Sequence, residues 1–151
     1  MITATGRGPR AALLLALWAV AVVAATMFPI RPHQISWAGS AWWAVIVWVP
    51  FAVPPLGFAA NVAMFVPLGV LLPLLWPRTG SVARMAAWGL GVSAAIELTQ
   101  LALWVTIGNV RTVDVNDLMA NTAGAVLGLL ALRLALFGLA RRRYDDFQAR
   151  M

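Results

Sequence analysis

The chain has 151 residues, 62 % of them hydrophobic, with a formal net charge of +6 from eleven arginines against five carboxylates. That length allows one domain at most, and a mean hydropathy of +0.86 separates it from soluble globular chains. The absence of cysteine excludes disulfides and thiolate chemistry, and the basic balance does not point to nucleic acid, because the arginines flank apolar runs.

Residues 11–30 form the first uncharged run, bounded by Arg10 and Arg31. At about 1.5 Å rise per residue, about 20 residues span the ~30 Å hydrocarbon core of a bilayer. A cleaved signal peptide would also account for Arg7, Arg10 and the small residues at 19–21, but the run is longer than such a segment needs.

Residues 31–56 are harder to place. The apolar stretch 41–49 is too short to span, and Pro50, Pro54 and Pro55 stop it from growing forward. A fifth span here would also move Arg78 and Arg84 across the membrane. Trp37, Trp42, Trp43 and Trp48 instead predict an interfacial or re-entrant segment, since indole rings favour the membrane boundary. His33 reads as a loop histidine without ligand-spaced partners.

Three more spans follow, at about 57–76, 85–105 and 117–138. The second contains Asn61 and Pro67, and Pro67 is expected to loosen it and free carbonyls toward the bundle. The third is interrupted by Ser93, Glu97, Thr99 and Gln100, and the fourth by Asn121 and Arg133. These runs are apolar on all faces, unlike the striped helices of a soluble bundle. The predicted fold is all-α, a polytopic integral membrane four-helix bundle in one domain over 1–151.

With the N-terminus inside, nine arginines face the cytoplasm and only Arg31 and Arg111 face out. This is a strong positive-inside bias, so both termini are expected in the cytoplasm. The run Arg141, Arg142, Arg143 is expected to anchor the last helix to anionic headgroups.

The same topology gives a depth to each buried polar residue. Counting along ideal helices, Glu97 lies about 12 Å, Asn121 about 9 Å and Asn61 about 6 Å below the outer boundary. Three helices thus bring polar side chains to one layer, with Arg111, Asp114 and Asp117 just above it. Glu97 and Gln100 share a helical face, as do Asp114, Asp117 and Asn121, whose stripe continues into Gly124 and Gly128. That glycine pair allows close helix approach, within the chain or in an oligomer. A lone carboxylate against lipid costs at least about 2.5–3.5 kcal/mol, so Glu97 must be paired or protonated, and Arg111 is the basic residue placed to meet it or Asp117. A plainer reading makes Asp114 a helix N-cap with Asp117 completing a capping box, and makes Asn61 and Asn121 interhelical glue.

The segment NVAMFVPLG, with Asn61, Phe65, Pro67 and Gly69, resembles the N-x-x-x-F-x-P-x-G signature of the VanZ-like family of small bacterial membrane proteins. The pattern IELTQ, then R-x-x-D-x-x-D-L-x-x-N-T-x-G-x-x-x-G over 111–128, resembles that family's second block, and Pro50-Phe51 falls where the family often has the same pair. The stretch carrying these motifs is about 50–128. The resemblance implies a small envelope membrane protein; its founding member is associated with low-level resistance to teicoplanin, a property of some members only.

These observations predict a charged outer-leaflet pocket in the bacterial inner membrane, with Asn61, Glu97, Gln100, Arg111, Asp114, Asp117 and Asn121 as its polar lining. Its expected partners are membrane lipids, among them a lipid-linked cell-wall intermediate, and no nucleic acid. The rival is an enzyme acting on a lipid-linked substrate, with Glu97 and Asp117 as its catalytic carboxyls. The sequence carries no cofactor motif and no metal-ligand motif, and the missing inverted repeat argues against a carrier.

Overall fold

A computed structural model describes residues 7–28, 43, 46–51, 53–107 and 113–148. Four helices account for most of them: α1 Arg7–Met27, α2 Pro55–Leu75, α3 Val82–Ile107 and α4 Val115–Gln148. All four are long and apolar enough to cross a membrane, with mean hydropathies of 2.0, 2.1, 1.5 and 2.0 over an 18-residue stretch of each. The chain is an all-α, multi-pass membrane protein.

Helix α2 opens on Pro55, whose fixed φ suits the first helical turn and whose missing N–H is not needed there. It then continues unbroken through Pro67 and Pro73. Pro67 cannot donate to the carbonyl four residues earlier, and the neighbouring carbonyl of Met64 accepts the Trp18 indole N–H of α1 at 2.7 Å. The Trp18 ring meets Phe65 edge-on, with centroids 5.6 Å apart, and Phe65 is wholly buried. A 3-10 turn, Pro77–Thr79, links α2 to α3. Ser81 ends that connection by accepting from the backbone N–H and the Nε of Arg84, a helix-start arrangement.

Helices α2 and α4 run in the same direction and form the most extensive contact of the bundle. A Cβ at Gly69 would overlap the Ala125 carbonyl, one at Gly124 the Val62 carbonyl, and one at Gly128 the Val66 carbonyl. The two backbones therefore meet only because these three positions lack side chains. The glycine pair of α4 thus packs on α2 within the chain. Helix α3 packs antiparallel on the other side of α4, where a Cβ at Gly89 would stand 2.9 Å from that of Ala125. By contrast α2 and α3, neighbours in the chain, barely touch.

The connection between α1 and α2 holds a short strand, β1 Ile46–Val47, paired in parallel with β2 Val113–Asp114 just before α4. Nothing in the sequence predicts this pair. Trp43, Trp48, Val49, Phe51 and Leu56 around it are exposed, as side chains facing a membrane boundary would be. Trp37 and Trp42 lie outside the described residues.

At 34 residues, α4 is about 51 Å long against a ~30 Å hydrocarbon core. Arg133 donates to the Gly80 carbonyl, so α4 passes the α2–α3 turn at that point and carries Arg141, Arg142 and Arg143 beyond it as a continuous helix.

Candidate functional site

The polar layer begins with the first turn of α4. Asp114 Oδ1 accepts from the backbone N–H of Asn116 at 2.8 Å, two residues on, which is N-cap geometry. The backbone N–H of Asp114 in turn donates to Glu97 Oε2 at 2.9 Å. In a capping box that N–H is met by the acidic side chain three residues into the same helix. Here a glutamate from α3 takes that place, and Asp117, the residue at the expected position, turns to α2, where Asn61 Nδ2 donates to its Oδ1. Glu97 is 4 % exposed. The Asp114 amide and the positive end of the α4 macrodipole both favour an acceptor oxygen at this position.

One turn deeper, Ser93 joins α3 to α4. Its hydroxyl donates to the Asp117 carbonyl at 3.4 Å and accepts from Asn121 Nδ2 at 2.9 Å. Asn121 is buried, and its Oδ1 has no partner among the described residues. Gln100 is buried on α3 but belongs to a different junction: its Nε2 donates to the Thr26 carbonyl of α1 at 3.0 Å, and its Oε1 has no partner among the described residues. The shared face of Glu97 and Gln100 thus divides between α4 and α1. The stripe Asp114, Asp117, Asn121 divides too, between α2 and α3, before Gly124 and Gly128 return to α2.

Asn116 carried no signal in the sequence beyond its place between two aspartates, and it bonds to Asp114, Val49 and Phe51. It is wholly buried. Its Nδ2 donates to Asp114 Oδ1 at 2.7 Å and to the Val49 carbonyl at 3.0 Å, and its Oδ1 accepts from the backbone N–H of Phe51. Phe51 has φ +61°, a left-handed conformation that costs a bulky residue about 1–3 kcal/mol and marks functional segments more often than chance. Asn116 and the β1–β2 pair therefore clamp a strained loop over the start of α4.

Arg111 lies outside the described residues. Among the described residues, no group of three acidic or histidine side chains converges as metal ligands would.

An apolar groove of about 650 Å³ runs down the α3–α4 seam from the level of this layer, lined by Val115, Leu118, Met119, Thr122, Val126 and Leu90. Its upper end lies at the level of the polar layer, although none of the layer's side chains lines it. It is wide, open at the side and almost without polar atoms.

The family model described as VanZ/LLP1 matches residues 11–137. The chain belongs to the VanZ/LLP1 family. The match takes in α1 as well as the motif stretch, so the Trp18 bridge from α1 to α2 falls inside the VanZ region. Comparison with curated proteins and with solved structures found no match. Of the VanZ motif residues, Phe65, Gly69, Gly124 and Gly128 pack α2 on α4, whereas Asn61, Glu97, Asp114, Asp117 and Asn121 make the polar layer.

Proposed function

We propose that this VanZ-like protein binds the anionic headgroup of an envelope lipid intermediate or amphiphile that enters sideways from the membrane. The observation that supports this reading best is a laterally open apolar groove along α4 that starts at the level of a buried polar layer. An acyl chain fits the groove, and the headgroup then reaches the first turn of α4 and Arg111. Glu97 and Asp117 position that end of the helix, and Asn61 and Asn121 set its contacts with α2 and α3. The strained Phe51 loop, clamped by Asn116, covers the same end. The distribution of arginines supports an orientation in the bacterial inner membrane with both termini in the cytoplasm and this layer in the outer leaflet. Under this reading the protein is an accessory of the envelope, and withholding or presenting its lipid modulates susceptibility to teicoplanin-type glycopeptides.

Lipid mass spectrometry on the gently purified protein tests the proposal. Arg111→Ala is expected to lose a bound anionic lipid that the unaltered protein retains, and to change glycopeptide susceptibility. Unchanged lipid and unchanged susceptibility in a normally folded variant overturn it. Glu97→Gln separates binding from catalysis. The glutamine oxygen still accepts from Asp114, so lipid retention is expected to persist, whereas a carboxyl-driven reaction on a lipid-linked substrate would stop.

A further inference from the structure

The opposite end of the bundle carries a second cleft of about 550 Å³ at the α2–α3 turn, lined by Trp76, Pro77, Arg78, Thr79, Arg84 and Trp88. None of these residues takes part in the layer around Glu97. Trp76 and Trp88 stack with centroids 6.2 Å apart and planes at 28°, which makes one wall of the cleft rigid and flat. The Thr79 hydroxyl is turned inward onto the Trp76 carbonyl, so the polar groups free to act on a ligand are the two guanidiniums. Arg84 is held in place because its Nε donates to Ser81 Oγ at 2.7 Å. That bond leaves its two terminal nitrogens as a ready fork, the geometry that meets two oxygens of one phosphate.

The cleft is also electrostatically uncompensated. Of the five carboxylates in the chain, Glu97, Asp114 and Asp117 stand at the far end of the bundle. Asp145 and Asp146 lie about 18 Å beyond Arg133 along α4, at the helix rise. Arg133 adds a third positive charge at the turn through its bond to the Gly80 carbonyl, and the start of α3 adds the partial positive charge of a helix N-terminus. Exposed indoles beside arginines, at the end of four apolar helices, mark the headgroup level of the membrane.

The geometry points to a second lipid site here, on the leaflet opposite the polar layer around Glu97: Arg78 and Arg84 grip the phosphate of an anionic phospholipid, and the Trp76–Trp88 stack flanks its glycerol backbone. The bound lipid holds the α2–α3 turn at the membrane surface. A membrane phospholipid is the source that fits, because the cleft combines a phosphate-binding fork with an aromatic wall at the depth of the lipid backbone.

Native mass spectrometry of the protein in non-ionic detergent, titrated with phosphatidylglycerol or phosphatidylcholine, tests this. The unaltered protein is expected to prefer phosphatidylglycerol, and Arg78→Gln/Arg84→Gln to weaken that lipid by at least about ten-fold with phosphatidylcholine unchanged. Arg78→Gln alone, which removes no internal hydrogen bond, is expected to weaken it by at least about three-fold with an unchanged melting temperature. Arg141→Gln/Arg142→Gln/Arg143→Gln is expected to leave the preference in place. In an Arg111→Ala background, Arg78→Gln is expected to weaken phosphatidylglycerol by the same factor, which separates this site from the one proposed above. Equal loss in the tail variant would reduce the effect to overall charge and overturn the proposal. Undiminished affinity in a folded Arg78→Gln/Arg84→Gln variant would do the same, as would displacement of the lipid by inorganic phosphate at lipid-like concentrations.

Discussion

Glu97 shows how one side chain on one helix can fix where another helix begins. It accepts the Asp114 N–H from across the α3–α4 interface, so α4 starts where α3 allows. Glu97→Ala leaves that amide buried without a partner and is expected to cost about 1–3 kcal/mol, whereas Glu97→Gln keeps an acceptor and is expected to cost less; thermal unfolding in detergent distinguishes the two. Asn116→Ala strips partners from Val49, Phe51 and Asp114 at once, and is expected to cost about 2–3 kcal/mol. The same variant is expected to raise proteolysis or hydrogen exchange in the loop around Phe51. The charged members of the layer were legible in the sequence because a carboxylate in an apolar run has few innocent explanations. Asn116 and Ser93 were not. Neither is charged, and the importance of each comes from partners 65 and 28 residues away in the chain, a kind of contact that spacing along one helix does not reveal.

At the scale of elements, apolar run length alone located four spanning helices, because the hydrocarbon thickness dictates it. What length could not show was pairing. The decisive contact joins α2 to α4, and it depends on three glycines whose places would otherwise hold a side chain inside a carbonyl. Alanine at Gly69, Gly124 or Gly128 is therefore expected to destabilise the protein by about 1–3 kcal/mol. At Gly57 and Gly138 an added Cβ meets open space, and alanine there is expected to be neutral or to stabilise by up to about 1 kcal/mol. Melting temperatures of these five variants in one detergent check the contrast. The sequence also misjudged Pro67 in part: the helix does not open there, since the bundle packed around it holds its axis, and the neighbouring carbonyl finds an indole on α1. The short β1–β2 pair left no trace because two-residue strands have no periodicity to read.

Across the whole molecule, the two ends carry different chemistry. One end holds a buried network of carboxylate, amide and hydroxyl groups, and the other a rim of arginine and tryptophan. Single cysteines at Gly8, Gly80 and Gln148 are expected to react with a membrane-impermeant thiol reagent from one side of the membrane, and a cysteine at Trp48 from the other. A different pattern would invert the orientation proposed for the polar layer. The order of helices along the chain has a further consequence for assembly. Since α2 scarcely meets α3 and is matched instead to α4, a polypeptide emerging from the ribosome inserts its second helix with a bare glycine-faced flank and must wait for its last helix to cover it. Two separately expressed halves, divided at the 3-10 turn, should for that reason find one another in the bilayer, with the docking surface for each supplied entirely by the other.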